Sequence, residues 1–159
     1  MHGASVIARL DNSVFQNILS ELNSYLASLK PKYALEAAMA LQSDGVRLPS
    51  VTQILLSNMR PESWAEFSEE ERKHLLDVMS TFRNDPVVAK WLMEEGRSDW
   101  ALRETILCLL GAIGDPETKP FVAYWATRGE AEAVAALQLF GKAKVAEIMA
   151  FAKRYKRLR

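Results

Sequence analysis

The chain has 159 residues, of which 20 are basic, 20 are acidic and one, Cys108, is a cysteine. Its hydrophobic fraction of 49% and charged fraction of 25% are typical of a globular domain and argue against intrinsic disorder, and the lone cysteine excludes a disulfide scaffold and a cysteine-rich zinc site. The formal net charge of zero argues against a protein whose whole surface binds polyanions.

Helical periodicity dominates the chain, and strand patterns are almost absent. An apolar stripe over 14–29 predicts a helix of about five turns, and shorter helices are predicted over 32–43 and after Ser50. We expect these N-terminal helices, within 11–60, to cap one end of a single domain that spans 1–159. The alternative is that the first stripe pairs two copies of the chain into a homodimer.

The remainder of the chain is predicted to alternate helices with tight turns. Ser68 and Glu71 have the spacing of a capping box, which predicts that a helix begins there. The pairs Asp85-Pro86 and Asp115-Pro116 each predict a helix with proline in its first turn. The predicted helices of this part end near Gly96, Gly114, Gly129, Phe140 and Tyr155.

An internal repeat is the most informative pattern in the sequence. Asp85-Pro86 and Asp115-Pro116 are 30 residues apart, and Gly114 and Gly141 are 27 apart. Chance matches among amphipathic helices are the alternative, but the turn residues match as well as the apolar ones. The pattern therefore predicts about three antiparallel helix pairs over 68–155 that share one core. The aligned apolar positions are Leu76, Ile106 and Ala133; Met79, Leu109 and Ala136; and Trp91, Phe121 and Ile148.

The segments Ala101–Arg103, Leu110–Pro116 and Pro120-Phe121 resemble a HEAT-like repeat, of the short bacterial type named after phycobilisome lyases. This resemblance implies an all-α fold, a short right-handed α-solenoid whose second helices form an inner face that binds partners. Within it, Gly111 would let two helices approach closely, and Gly114 would give the left-handed exit of a helix C-terminus. Asp115 is expected to cap the following helix.

No catalytic set, metal site or cofactor motif is predicted. Cys108 lies inside an apolar run, which indicates a small core residue and not a nucleophile. His74 lies beside basic residues, which favours a surface position. The N-terminus lacks the basic segment of a signal peptide, and the longest apolar stretch, 105–113, is far shorter than the ~20 residues of a membrane span. We therefore expect a cytoplasmic protein that is not an enzyme.

The repeat alignment predicts an exposed aromatic site. It places Tyr124 with Glu94 and Phe151, and Trp125 with Glu95, and a position that glutamate fills in one repeat is expected to face solvent in the others. For Trp125 the competing interpretation is a core position, because Phe121 and Val122 precede it by one helical turn. The predicted partner-binding residues are Tyr124, Trp125, Arg128, Phe151 and Lys119.

Charge is concentrated at the C-terminus. The last seven residues hold five basic side chains, so the rest of the chain has 15 basic against 20 acidic residues. These cations either stabilise the end of the last helix or serve acidic partners, in a basic tail placed at 156–159. We favour a protein-interaction adaptor; the alternatives are a nucleic-acid-binding protein and, by family analogy alone, a chromophore lyase. The basic residues are Lys153, Arg154, Lys156, Arg157 and Arg159.

Overall fold

The computed structural model describes residues 12–98 and 100–158, and in these residues the chain is all-helical, without a β-strand. This confirms the predicted all-α class. The α-helices are α1 (Asn12–Ser28), α2 (Pro31–Ser43), α3 (Pro49–Ser57), α4 (Pro61–Trp64), α5 (Glu69–Met79), α6 (Pro86–Ser98), α7 (Trp100–Ile113), α8 (Lys119–Thr127), α9 (Ala131–Gln138) and α10 (Val145–Leu158), with a 3₁₀ turn at Pro116–Thr118. None of the described helices is both long and apolar enough to cross a bilayer.

The chain divides into two compact units, with the boundary between Asn58 and Met59. In the first unit, α2 packs against α1 and α3, and the Ser50 hydroxyl donates a hydrogen bond to the side-chain oxygen of Asn23. The predicted stripe of α1 is only partly covered, because Leu26 is buried whereas Tyr25 is exposed.

The second unit is organised around α7, which packs against α6, α9 and α10. Every side chain from Ile106 to Leu110 is buried, as expected for a helix that is apolar all round. Cys108 is 1% exposed within this run, which confirms its predicted place in the core.

Small residues let α7 and α9 approach closely. A Cβ atom added to Gly111 would lie 2.7 Å from Cβ of Ala136, far inside van der Waals contact. The facing helix α9 contributes further small buried side chains, Ala131, Ala133 and Ala135. The predicted role of Gly111 is therefore confirmed.

Three turns of the second unit recur at the repeat spacing with a positive φ angle; a further turn with positive φ, at Gly129 (84°), lies between α8 and α9. Asn84, Gly114 and Gly141 have positive φ angles of 58°, 71° and 71°, and their spacings are the 30 and 27 residues of the sequence repeat. The turns are also neighbours, because the Asn84 amide donates to the carbonyl of Ile113 over 2.9 Å and the Gly141 amide donates to that of Gly111 over 2.7 Å.

Predicted helix starts were partly right. The Ser68–Glu71 capping box is confirmed, with the two reciprocal hydrogen bonds at 3.2 and 2.9 Å. Asp85 accepts hydrogen bonds from the amides of the first turn of α6. The predicted cap at Asp115 is wrong: its side chain makes no capping bond, because a 3₁₀ turn follows it and α8 begins only at Lys119.

Two predicted helix ends were also wrong. Gly96 lies inside α6, buried where an added Cβ would meet Ile106 and Phe121 at 3.2 and 3.5 Å. The glycine therefore serves packing and does not end the helix. The last helix continues to Leu158, so residues 156–158 belong to its final turn.

Candidate partner-binding surface

An exposed tyrosine and a half-buried tryptophan are neighbours on α8. Tyr124 is 48% exposed, and its ring meets that of Trp125 edge to face, with centroids 5.1 Å apart and an interplanar angle of 86°. This arrangement is the one that aromatic quadrupoles favour. The tryptophan therefore holds the orientation of a ring that solvent reaches.

Two arginines cover the rings. The guanidinium carbon of Arg128 lies 3.6 Å from the centroid of the Tyr124 ring, and that of Arg103 lies 3.8 Å from the centroid of the Trp125 ring. Arg103 is fixed by a second contact, because its Nε donates to the carbonyl of Gly96 over 3.1 Å. We call Arg103, Tyr124, Trp125 and Arg128 the α8 aromatic surface.

Trp125 falls between its two predicted environments. Its side chain is half-buried, and its indole nitrogen is buried with no hydrogen-bond acceptor among the described residues. An indole N–H only donates, and leaving such a donor unpaired costs about 1–3 kcal/mol. Trp125 thus braces Tyr124 at the edge of the core and is neither fully exposed nor fully packed.

The structure brings together only part of the predicted site. A ring contact joins Tyr124 to Trp125, and a cation–π contact joins Tyr124 to Arg128. Lys119 instead contacts Phe140, with its Nζ 5.7 Å from the centroid of that ring. Phe151 is half-buried on α10, with Arg154 5.9 Å from its ring centroid.

Arg103 was not among the predicted binding residues. It belongs to the Ala101–Arg103 segment that carries the family resemblance, but no local pattern connects it to Trp125. Its position depends on the carbonyl of Gly96, which lies on the preceding helix.

The predicted basic residues have several environments. Lys153, Arg154, Lys156 and Arg157 are exposed, and Lys156 is also paired with Glu132. Lys156 and Arg157 lie in the last turn of α10, where positive charge stabilises the helix dipole. Arg159 lies outside the described residues.

Cys108 is unsuited to nucleophilic chemistry. Burial is the main cause that raises its pKa from 9.0 to about 12, and the nearby Glu132 and Glu104 raise it further. The thiolate is the reactive form of cysteine, so at neutral pH this side chain stays a protonated core group.

An open cleft of about 360 Å³ lies beside α4, lined by Arg60, Pro61, Glu62, Glu95 and Ser98. Arg60 lies 3.9 Å from Glu95 and 5.6 Å from the centroid of the Trp91 ring. Arg60 therefore already has an ion-pair partner and a ring contact within its own unit.

Comparison of the chain with protein-family models, with curated proteins and with solved structures gave no significant match.

Proposed function

We propose that the chain is a non-enzymatic protein-interaction module, an adaptor whose partner binds the α8 aromatic surface. The observation that carries the proposal is the exposed ring of Tyr124, which contacts both the guanidinium of Arg128 and the ring of Trp125. Tyrosine, tryptophan and arginine are the residues most enriched at the energetic centres of protein interfaces.

The arrangement favours binding because neighbouring side chains already hold the aromatic rings in place before a partner binds. Each rotamer-rich side chain that becomes immobile on binding costs about 0.5–1.5 kcal/mol. Here Trp125 is already covered by Arg103, and Tyr124 is already in contact with two neighbours. A partner that presents an apolar group beside a carboxylate would match the ring and the guanidinium together.

We further propose that the second unit is a short HEAT-like α-solenoid of three helix pairs, α5–α6, α7–α8 and α9–α10. The support is the equivalence of the turns inside these pairs, with positive φ at Asn84, Gly114 and Gly141. The hydrogen bonds between successive turns also support stacking of one pair on the next. In such an array α8 would be the middle one of the second helices, which form the partner-binding face in the family that the sequence resembles.

Quantitative affinity capture tests the interaction. Wild-type chain and the double variant Tyr124→Ser with Arg128→Ser would be immobilised, and captured proteins compared by mass spectrometry. Loss of a hot spot costs 2 kcal/mol or more, so at least one partner should fall about 30-fold. The melting temperature should stay within about 3 °C, because exposed substitutions cost little stability.

Tyr33 provides the matched control. It is a tyrosine of α2 that is 54% exposed, close to the 48% of Tyr124. Tyr33→Ser should leave the captured proteins unchanged. If the double variant and Tyr33→Ser retain the same proteins in the same amounts, the proposed surface is wrong.

A further inference from the structure

Three glutamates converge where α7, α9 and α10 meet. Glu104 lies near the start of α7, Glu130 directly precedes α9, and Glu132 lies in its first turn. One carboxylate oxygen of each lies within 4.8 Å of the other two. Like charges repel at such a distance, so a cation at this junction would lower their mutual repulsion.

Glu132 has an unused ligand atom. Its side chain is 8% exposed, and one oxygen accepts a hydrogen bond from the ammonium of Lys156. The second oxygen, Oε2, is buried and finds no hydrogen-bond donor among the described residues. A buried carboxylate oxygen without a partner is costly, and this one belongs to the carboxylate group that enters the cluster.

Lys156 only partly offsets the negative charge. Its ammonium bonds Glu132 and lies 4.0 Å from an oxygen of Glu104. Three carboxylate groups and one ammonium group leave the cluster with an excess of negative formal charge.

The ligand atoms select the class of ion. Carboxylate oxygens suit hard cations such as Ca²⁺ and Mg²⁺ and are not the soft donors that zinc or copper prefer in closed sites. Ca²⁺ takes about six to eight oxygen ligands in flexible geometry, whereas Mg²⁺ keeps several waters and usually binds through one or two carboxylates, so three protein carboxylates favour Ca²⁺. One carboxylate oxygen of each glutamate lies within 4.8 Å of the other two, so a single ion could contact all three.

We propose that Glu104, Glu130 and Glu132 form a binding site for a hard divalent cation, Ca²⁺ in preference to Mg²⁺, and that Lys156 is the competing cation when the metal is absent. Solvent supplies the remaining ligands, since Glu104 is exposed. Metal binding would release the Lys156 ammonium from the cluster and join α7 to α9 through the ion.

Calorimetric titration of the chelator-treated full chain with CaCl₂ tests the site, with MgCl₂ titrated in parallel. We expect one saturable Ca²⁺ site per chain, with Mg²⁺ at least tenfold weaker. Glu104→Gln should weaken Ca²⁺ binding at least about tenfold. Glu117→Gln, which changes an exposed glutamate outside the cluster, should leave the affinity unchanged.

Lys156→Met distinguishes a metal site from a salt bridge that serves stability alone. Removing the competing ammonium should raise the Ca²⁺ affinity at least threefold. It should also lower the melting temperature without metal, and Ca²⁺ should restore that temperature. The proposal is overturned if neither wild type nor Lys156→Met binds Ca²⁺ saturably, or if Glu104→Gln and Glu117→Gln behave alike.

Discussion

At the scale of single residues, Gly111 sets how closely two helices pack. Its missing Cβ would lie 2.7 Å from Cβ and 2.8 Å from Cα of Ala136, and 3.1 Å from Cδ1 of Ile148. Two of these atoms cannot turn away, because one is backbone and the other is fixed to it. The sequence resemblance predicted this close approach, since only glycine leaves such space.

Gly111→Ala should therefore destabilise the protein by about 1–3 kcal/mol, the usual cost of overpacking, as measured by urea unfolding. Gly96→Ala is the control, because its Cβ would meet only side-chain atoms, the nearest at 3.2 Å on Ile106. The gain in helix propensity of about 1 kcal/mol should offset that contact. Equal effects of the two substitutions would contradict the proposed role of Gly111.

Burial of Cys108 makes a pH dependence testable. Its pKa is about 12 in the folded chain and 9.0 ordinarily, so the folded state holds the thiol proton more tightly. Its contribution to stability is complete below pH 9 and is lost as the pH rises towards 12, by up to about 1.4 kcal/mol per unit. Between pH 8 and pH 10 the melting temperature of wild type should fall more steeply than that of Cys108→Ala.

The pH range of this experiment ends at pH 10 so that Lys156 does not titrate within it. The hydrogen bond to Glu132 raises the pKa of Lys156 from 10.5, which places it above the range. Melting curves of wild type and Cys108→Ala that fall in parallel would show that the thiol does not titrate on unfolding in this range.

The sequence predicted part of the candidate site. The exposure of Tyr124 followed from its equivalence to Glu94, which is also exposed. Arg103 and the half-buried state of Trp125 could not be predicted, because both depend on how α6, α7 and α8 lie against one another.

At the scale of elements, local signals predicted helices well and their ends less well. The capping box of α5 depends on four consecutive residues and was predicted in full. The cap at Asp115 failed although it shares the Asp-Pro pair of Asp85, since the chain forms a 3₁₀ turn there. The hydroxyl of Thr118 donates to the Asp115 carbonyl over 2.8 Å and helps to fix that turn.

The turn at Asn84 offers a test of the proposed repeat. Its φ of 58° is the conformation that glycine adopts at the two equivalent turns. Left-handed backbone costs an ordinary residue about 1–2 kcal/mol, so Asn84→Ala should destabilise the protein by about 1 kcal/mol. Asn84→Gly should be neutral or stabilising by up to about 1 kcal/mol.

Asn17→Gly is the control for the glycine substitution. Asn17 is exposed within α1, and glycine in a helix interior is destabilising. Chemical denaturation of these variants gives the comparison. If Asn84→Gly destabilises the protein as much as Asn17→Gly, the three turns are not equivalent.

At the scale of the whole molecule, neutrality hides an uneven distribution of charge. The 20 basic and 20 acidic residues cancel, yet three glutamates and Lys156 gather at one junction, and two arginines cover the rings of the α8 aromatic surface. The helical periodicity of the sequence predicted the all-α class. These clusters depend on tertiary packing and could not be predicted from it.

Site-specific photo-crosslinking tests the proposed function most directly. The photoreactive amino acid p-benzoylphenylalanine would replace Tyr124 or, as the control, Tyr33, and each chain would be irradiated in an extract of the organism that encodes it. The proposal predicts a discrete heavier adduct from position 124, lost when Arg128→Ser is added and absent from position 33. No adduct from position 124 above that from position 33 would contradict it.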